Sequence, residues 1–318
     1  MIFRGPAQPL AALLAAVALA TGNEVTASSP YQVEMTCVVG GEQFEHTATA
    51  SYSIWGSRPD GKPYGSWVFP GPLPECPGNK LVMYREFTPQ EVAQLKTLIA
   101  SDDYRALHDE TDYFRAQWIE DRLAVELPGP WLLMRATWQT DHDPALRQRY
   151  LKAFIARAAL VEVDSADLDT LALRYRLANA YRETRSFDEA LLTLETIPLA
   201  ALDVEVPDKK EAGWNAYRKA HDRLWLARQI ANMRDVIAEG DTSREPLRLI
   251  PEDMAAFRCK EMIEAGEATI DEFCYSEQVQ AEIAGRASGS SAAASEAAAA
   301  ASDAADAIAN MEAAGDWE

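Results

Sequence analysis

The four cysteines constrain the fold of this chain more than any other feature, because two of them resemble halves of metal-binding knuckles. Cys37 is followed three residues later by Gly40, and Cys76 is followed three residues later by Asn79. A zinc ribbon needs a thiolate at each of those later positions, and neither glycine nor asparagine supplies one. In an oxidising compartment the two remaining thiols form a disulfide instead. The sequence therefore predicts a cross-link between Cys37 and Cys76.

The other two cysteines, Cys259 and Cys274, lie on either side of a turn signal at residues 265–268. If the flanking segments form an antiparallel helical hairpin, both cysteines lie about 10 Å from the turn along their helices. They would then lie side by side, where a disulfide can join them. Four cysteines allow three pairings, and only this one, combined with Cys37 to Cys76, keeps each link within its own region.

Two alternatives remain for these thiols. The first is that they are free and buried. The second is a zinc site in which Cys37 and Cys76 are joined by His46 and His108, although this spacing matches no strong zinc pattern. No cysteine belongs to a Cys-x-x-Cys redox pair. We predict no metal site and no cofactor.

The start of the chain is typical of a signal peptide. Arg4 precedes an apolar run from Leu10 to Ala20, which is well short of the roughly 20 residues that span a bilayer. The whole chain carries 30 basic and 50 acidic residues and a net charge of −20, which repels nucleic-acid phosphates and anionic lipid headgroups. We expect a periplasmic or secreted protein with no nucleic-acid partner and no membrane insertion after signal cleavage.

The composition divides the chain into five regions. Alternating polar and apolar residues with many prolines and glycines predict short strands near the N-terminus, and helical periodicity follows. The predicted fold class is mainly α, a helical-hairpin (tetratricopeptide-like) array with a small β-rich N-terminal module. The regions are a signal peptide (1–20), a polar lead (21–30), the β-rich aromatic module (31–86), a helical domain (87–285) and an Ala-rich, acidic, disordered tail (286–318).

Several helix boundaries can be predicted from capping signals. Residues 88–91 form a capping box with proline at the first helical position, and Asp143 precedes a second such proline. Ser186 begins another capping box. Residues 209–238 form one long amphipathic segment that ends at Gly240.

A stretch from residue 171 to residue 198 has the spacing of a tetratricopeptide-like hairpin. Small residues at two positions let the helices approach closely, and larger neighbours fill the adjoining space. An ordinary helical hairpin in a bundle uses similar spacing and is the alternative. The expected packing residues are Leu177, Ala178, Tyr181, Ala190 and Leu194.

Three stretches, residues 35–44, 75–81 and 175–182, resemble a bacterial family of unknown function. In that family two Cys-Pro-x-Cys-Gly-type knuckles precede a set of helices with tetratricopeptide-like character. The resemblance implies the same architecture over residues 34–200. It does not imply metal binding, because one thiolate is missing from each knuckle of this chain.

The sequence contains few candidates for catalysis. The cluster formed by Asp141, His142 and Asp143 could orient a base or hold a metal. A structural role is the simpler interpretation, in which Asp143 caps a helix and its two neighbours lie in a loop. No nucleophile elbow, phosphate-binding loop or zinc-protease motif is present. We predict no catalytic residue.

These observations favour an exported, non-enzymatic module that mediates protein interaction or scaffolding in the cell envelope and has a protein partner. The alternative is a glycan- or cell-wall-directed binding protein or enzyme. That function would use exposed aromatic rings of the N-terminal module, and the candidates are Trp55 and Trp67.

Overall fold

The computed structural model describes residues 30–124, 128–267 and 270–287. The predicted signal peptide, nearly all of the polar lead and all but the first residues of the acidic tail lie outside this part of the chain. The described residues form a mainly α fold, as predicted, with eleven α-helices and two small antiparallel sheets. That the helical hairpins form a repeat array remains a prediction.

The strands all precede the first helix. Strand β1 (Pro30–Thr36) pairs with β2 (Gln43–Thr49) in one antiparallel sheet. Strand β3 (Ile54–Ser57) pairs with β4 (Pro63–Gly65) in a second. A tight turn joins β3 to β4, where the amide of Gly61 donates to the Arg58 carbonyl at 2.9 Å.

Most of the chain after these strands is helical. Three short 3-10 helices lie among the α-helices, at Leu199–Ala201, Leu247–Leu249 and Glu272–Tyr275. The α-helices are α1 (Pro89–Leu98), α2 (Asp102–Arg105), α3 (Asp112–Leu123), α4 (Trp131–Trp138), α5 (Pro144–Ala158), α6 (Leu168–Glu183), α7 (Phe187–Glu195), α8 (Lys209–Ala212), α9 (Trp214–Ala238), α10 (Glu252–Ala265) and α11 (Glu277–Ala287).

The capping signals predicted the starts of α1, α5 and α7. Thr88 and Glu91 make both hydrogen bonds of a capping box at the start of α1. The Asp143 side chain accepts from the Leu146 amide at 2.9 Å and caps α5. Helix α7 begins after Ser186, but the serine side chain makes no capping hydrogen bond.

The predicted continuous helix over residues 209–238 is wrong. Gly213 has φ 82° and ψ 164°, outside the helical region, and this conformation separates α8 from α9. The short α8 is capped by Asp208, whose carboxylate accepts from the Lys210 amide at 2.8 Å. Helix α9 thus begins afresh at Trp214.

Both predicted cysteine pairs are at bonding distance. The Cα atoms of Cys37 and Cys76 are 5.6 Å apart, and those of Cys259 and Cys274 are 5.2 Å apart, as disulfides require. All four side chains are buried. Two disulfides indicate an oxidising compartment.

The two links have different surroundings. The Cys37–Cys76 link belongs to an apolar cluster with Leu95 of α1 and Ile119 of α3, so it ties the strand region to the first helices. The predicted helical hairpin around Cys274 is wrong. Because α10 ends at the left-handed Gly266, Cys274 lies in a 3-10 turn before α11.

Helices α6 and α7 form the predicted hairpin, and its packing residues divide between two clusters. Ala178, Ala190 and Leu194 are fully buried in a cluster shared with α9. Leu177 lies on another side of α6, in a cluster with residues of α4 and α5. Tyr181 is partly buried and packs against both clusters. The hairpin therefore joins two cores.

The β3–β4 turn packs tightly against the helical part of the molecule. A Cβ atom added at Gly56 would lie 2.2 Å from the Pro251 ring, just before α10. One added at Gly61, where φ is +87°, would lie 2.7 Å from Nε of Arg176 on α6. Only glycine permits both approaches.

An ionic cluster fixes this turn to α5, to α6 and to the loop before α5. We define it as Arg58, Asp60, Asp141, Arg147 and Glu183. Arg58 donates to Asp60 at 2.7 Å and to Asp141 at 3.0 Å. Arg147 of α5 donates to Asp60 at 2.9 Å and, through Nε, to Glu183 at the end of α6 at 2.8 Å. Four of the five side chains are almost fully buried, so their charges depend on one another.

Candidate functional site

The two tryptophans predicted as ligand-facing aromatics differ in exposure. Trp55, in β3, is 41% exposed, whereas Trp67, beyond β4, is half-buried. Nearby, Tyr52 and Phe69 meet edge to face with their ring centroids 5.3 Å apart. Of the two candidates, Trp55 alone is substantially open to solvent.

The three residues from Asp141 to Asp143 have different roles in the structure. Asp141 belongs to the ionic cluster, and Asp143 caps α5. His142 lies between them and is exposed. The helix cap at Asp143 and the exposed His142 agree with the structural role expected for this segment, but the ion pairs of Asp141 were not predicted.

Metal binding and membrane spanning can also be considered for the described ranges. Among these residues, no group of three or more His, Cys, Asp or Glu side chains is placed to hold a metal ion. No helix in this part of the chain is both long and apolar enough to span a bilayer.

The most distinctive surface is an aromatic row on the first half of α9. Trp214 and Tyr217 stack with their ring centroids 5.8 Å apart, and Tyr217 lies 4.3 Å from the ring of His221. Trp225 continues the row and meets Tyr175 of α6 edge to face at 6.4 Å. Residues three and four apart share one side of a helix, so these rings form a continuous stripe.

Basic side chains lie among the rings. Arg218 and Arg228 fall on the same side of α9 as His221 by helical spacing. Nζ of Lys209 lies over the Trp214 ring at 3.9 Å, a cation–π contact. We call this surface the α9 stripe and define it as Lys209, Trp214, Tyr217, Arg218, His221, Trp225 and Arg228.

The charge of this segment is opposite to that of the whole chain. Residues 209–238 contain seven Lys and Arg residues against three Asp and Glu residues, a net charge of +4, within a chain of net charge −20. At physiological salt, charges more than about 8 Å apart are largely screened from one another. A ligand on the α9 stripe therefore meets the local positive charge first.

The rest of α9 is fixed in place. Leu226, Ile230 and Met233 are buried against the α6–α7 hairpin. Nη1 of Arg223 donates to the Ala201 carbonyl at 2.8 Å, and its Nη2 donates to the Ala166 carbonyl at 2.8 Å. The α9 stripe is thus presented on a rigid support, which reduces the entropy lost on binding.

The sequence matches no protein-family model, and no curated protein or solved structure gives a significant match. The resemblance to the family with paired knuckles therefore stays a prediction. The α9 stripe was missed because residues 209–238 were interpreted only as an amphipathic segment. The spacing of Arg218 and Arg228 among the rings was the available signal, since buried faces rarely alternate aromatic and basic residues.

Proposed function

We propose that this protein is an exported interaction module that binds an acidic segment of a partner protein along the α9 stripe. The observation that carries the proposal is the stripe itself, in which aromatic rings and cationic side chains alternate on a fixed helix. Arginine and aromatic residues are the types enriched where proteins bind proteins. Acidic side chains on the partner would pair with the arginines while its apolar side chains cover the rings.

The size of the stripe favours a protein segment over a long polyanion. From Trp214 to Arg228 the helix rises about 21 Å. A nucleic acid would extend beyond this length and meet the acidic surface of the rest of the chain, which repels its phosphates. A short acidic peptide can instead fit within the positive region.

The two disulfides support an exported protein. We propose a periplasmic or secreted location, reached through cleavage of the N-terminal signal peptide. Cell fractionation and N-terminal sequencing of the mature protein test this part. A chain that keeps its first twenty residues and stays with the reduced cytosolic proteins would contradict it.

Peptide binding tests the proposed surface directly. The probe is a fluorescent dodecapeptide of alternating Glu and Tyr, and its partner control carries Gln in place of Glu. We expect the acidic peptide to bind the full-length protein more tightly, by fluorescence anisotropy, and to weaken as salt rises. The double variant Arg218→Glu/Arg228→Glu should weaken binding at least tenfold, because it reverses two charges beside the rings.

A matched variant separates the stripe from general charge. Lys219→Glu changes an exposed residue of the same helix that lies about 100° around from Arg218 and therefore off the stripe. It should reduce affinity less than threefold. Equal binding of the Glu and Gln peptides, or an equal loss in Lys219→Glu, would contradict the proposal.

Photo-crosslinking then identifies the natural partner. A benzophenone side chain at position 221 should capture a protein through an acidic segment, and the same group at position 152, exposed on α5, should not. Capture that persists in Arg218→Glu/Arg228→Glu would show that the α9 stripe is not the contact.

A glycan-directed function is the second candidate, and the exposure of Trp55 favours it. An exposed indole can stack on a sugar ring. Binding to peptidoglycan that is lost in Trp55→Ala and unchanged in Arg218→Glu/Arg228→Glu would support this function in place of the first.

A further inference from the structure

A polar cavity opens beside the ionic cluster, on a different part of the molecule from the α9 stripe. Its volume is about 490 Å³, within the range of small-molecule sites. The start of α5, the end of α6, the loop after α9 and one residue of α10 form its walls. Its lining includes Asp141, Thr242, Ser243, Arg244, Glu245 and Arg258.

Cations outnumber anions in the ion pairs around this cavity. Five basic side chains pair with four carboxylates, which leaves a surplus of one positive charge. The cations are Arg58, Lys62, Arg147, Arg244 and Arg258, and the anions are Asp60, Asp141, Glu183 and Glu245.

The surplus of positive charge is greatest around Asp141, whose single carboxylate has several basic neighbours. Its carboxylate lies 2.7 Å from Nζ of Lys62 and 3.0 Å from guanidinium nitrogens of both Arg58 and Arg244. A guanidinium nitrogen of Arg147 is 3.8 Å away. One carboxylate thus serves four cations. Burial raises the pKa of Asp141, but Arg58 and Lys62 lower it by more, so the pKa lies below the ordinary value.

Two of the arginines keep donors for a ligand. Arg244 uses Nη1 for Asp141, and Arg258 uses Nη2 for Glu245. A guanidinium carries five N–H donors. Among the described residues, Nε and the other Nη of these two arginines make no hydrogen bond. Both side chains are about half exposed, so a ligand can reach them.

We propose that this cavity binds a small molecule through an oxyanion, a carboxylate or a phosphate group, held between Arg244 and Arg258. Paired N–H donors of guanidinium groups match the oxygens of such anions. One added negative charge balances the surplus. Thr242 lies in the same wall and offers a further polar contact, whereas the Ser243 hydroxyl donates to the Asp241 carboxylate at 3.0 Å.

Calorimetric titration of the full-length protein with inorganic phosphate and with succinate tests this site. Sodium chloride at matched ionic strength is the reference. We expect saturable binding of at least one of the two anions, and the tighter one identifies the group. The double variant Arg244→Gln/Arg258→Gln should weaken that binding at least tenfold, while Arg105→Gln, an exposed change on α2, should leave it unchanged.

A variant that is expected to raise the affinity for the anion separates loss of the site from loss of folding. Glu245→Gln removes the carboxylate that pairs with Arg258, which frees a donor and raises the surplus to two charges. It should bind the same anion more tightly, by about threefold or more. The absence of saturable binding above chloride, or unchanged affinity in both the double variant and Glu245→Gln, would overturn the proposal.

Discussion

Helix α6 is buried along most of its length, but its middle turns and its last turn meet different surroundings. Leu171, Tyr175 and Ala178 pack among apolar side chains of α7 and α9. Arg182 and Glu183, at the end of the same helix, lie among charged and amide groups. The two parts are equally inaccessible to water, and only the chemistry of burial differs.

The difference shows which part of the fold is adaptable and which is specific. Apolar packing tolerates exchange among hydrophobic residues of similar volume. Each charge in the ionic cluster instead depends on partners from other segments, because an unpaired buried charge is strongly unfavourable. The cluster therefore fixes the position of the β3–β4 turn against α5 and α6, which a purely apolar contact would do less selectively.

The largest expected effect is the loss of a cation from the ionic cluster. Arg147→Met leaves the carboxylates of Asp60 and Glu183 buried without this partner. The free energy of unfolding should fall by about 3–5 kcal/mol, as measured by urea denaturation.

A second arginine of α5 provides the control. Arg149 pairs with Glu110, but its side chain is 55% exposed. Arg149→Met should therefore lower the free energy of unfolding by about 1 kcal/mol or less. Similar losses in the two variants would show that the ionic cluster is no more important than a surface ion pair.

The apolar part of the comparison predicts a somewhat smaller effect. Leu194→Ala removes a fully buried side chain from the cluster between α6, α7 and α9, and the free energy of unfolding should fall by about 3 kcal/mol. Leu192, two residues earlier in α7, is 62% exposed. Leu192→Ala should change the free energy of unfolding by less than about 0.5 kcal/mol. A comparable loss at both positions would mean that α7 packs through another face.

The apolar part could be predicted from the sequence because its signal is local. The spacing of Ala178, Ala190 and Leu194 identified the hairpin, and the cysteine arrangement identified both disulfides. Helix starts followed from caps at Thr88 and Asp143. Except for the link between Cys37 and Cys76, residues close in the chain carried the information.

The ionic cluster could not be predicted in this way, because its members are far apart in the sequence. Nothing near Asp60 in the sequence indicated that Arg147 would pair both with its carboxylate and with Glu183. Asp141 was noticed only as a neighbour of His142. Charged residues are ordinarily expected at the surface, so the burial of four of them by mutual pairing has no local signature.

The effect of pH on stability also distinguishes the ionic cluster from the apolar packing around α6. Burial raises the pKa of Asp60, but Arg58 and Arg147 lower it by more, so the net pKa lies well below the ordinary value. The pKa of Asp141 is lowered in the same way. A carboxyl group with a lowered pKa in the folded state adds stability above about pH 4. This contribution is lost as pH falls, by at most about 1.4 kcal/mol per pH unit for each group.

Two variants test this dependence of stability on pH. Asp141→Asn should lower the free energy of unfolding by about 2 kcal/mol at pH 7, because it removes a charged acceptor from its cations. Between pH 4 and pH 3 this loss should shrink, since the carboxyl group it replaces becomes less stabilising there. The loss in Leu194→Ala should stay the same over that range, because no titrating group is removed. Urea denaturation at pH 7, 4 and 3 measures both. If the two losses vary in parallel with pH, proton binding does not separate the ionic part of the molecule from the apolar part.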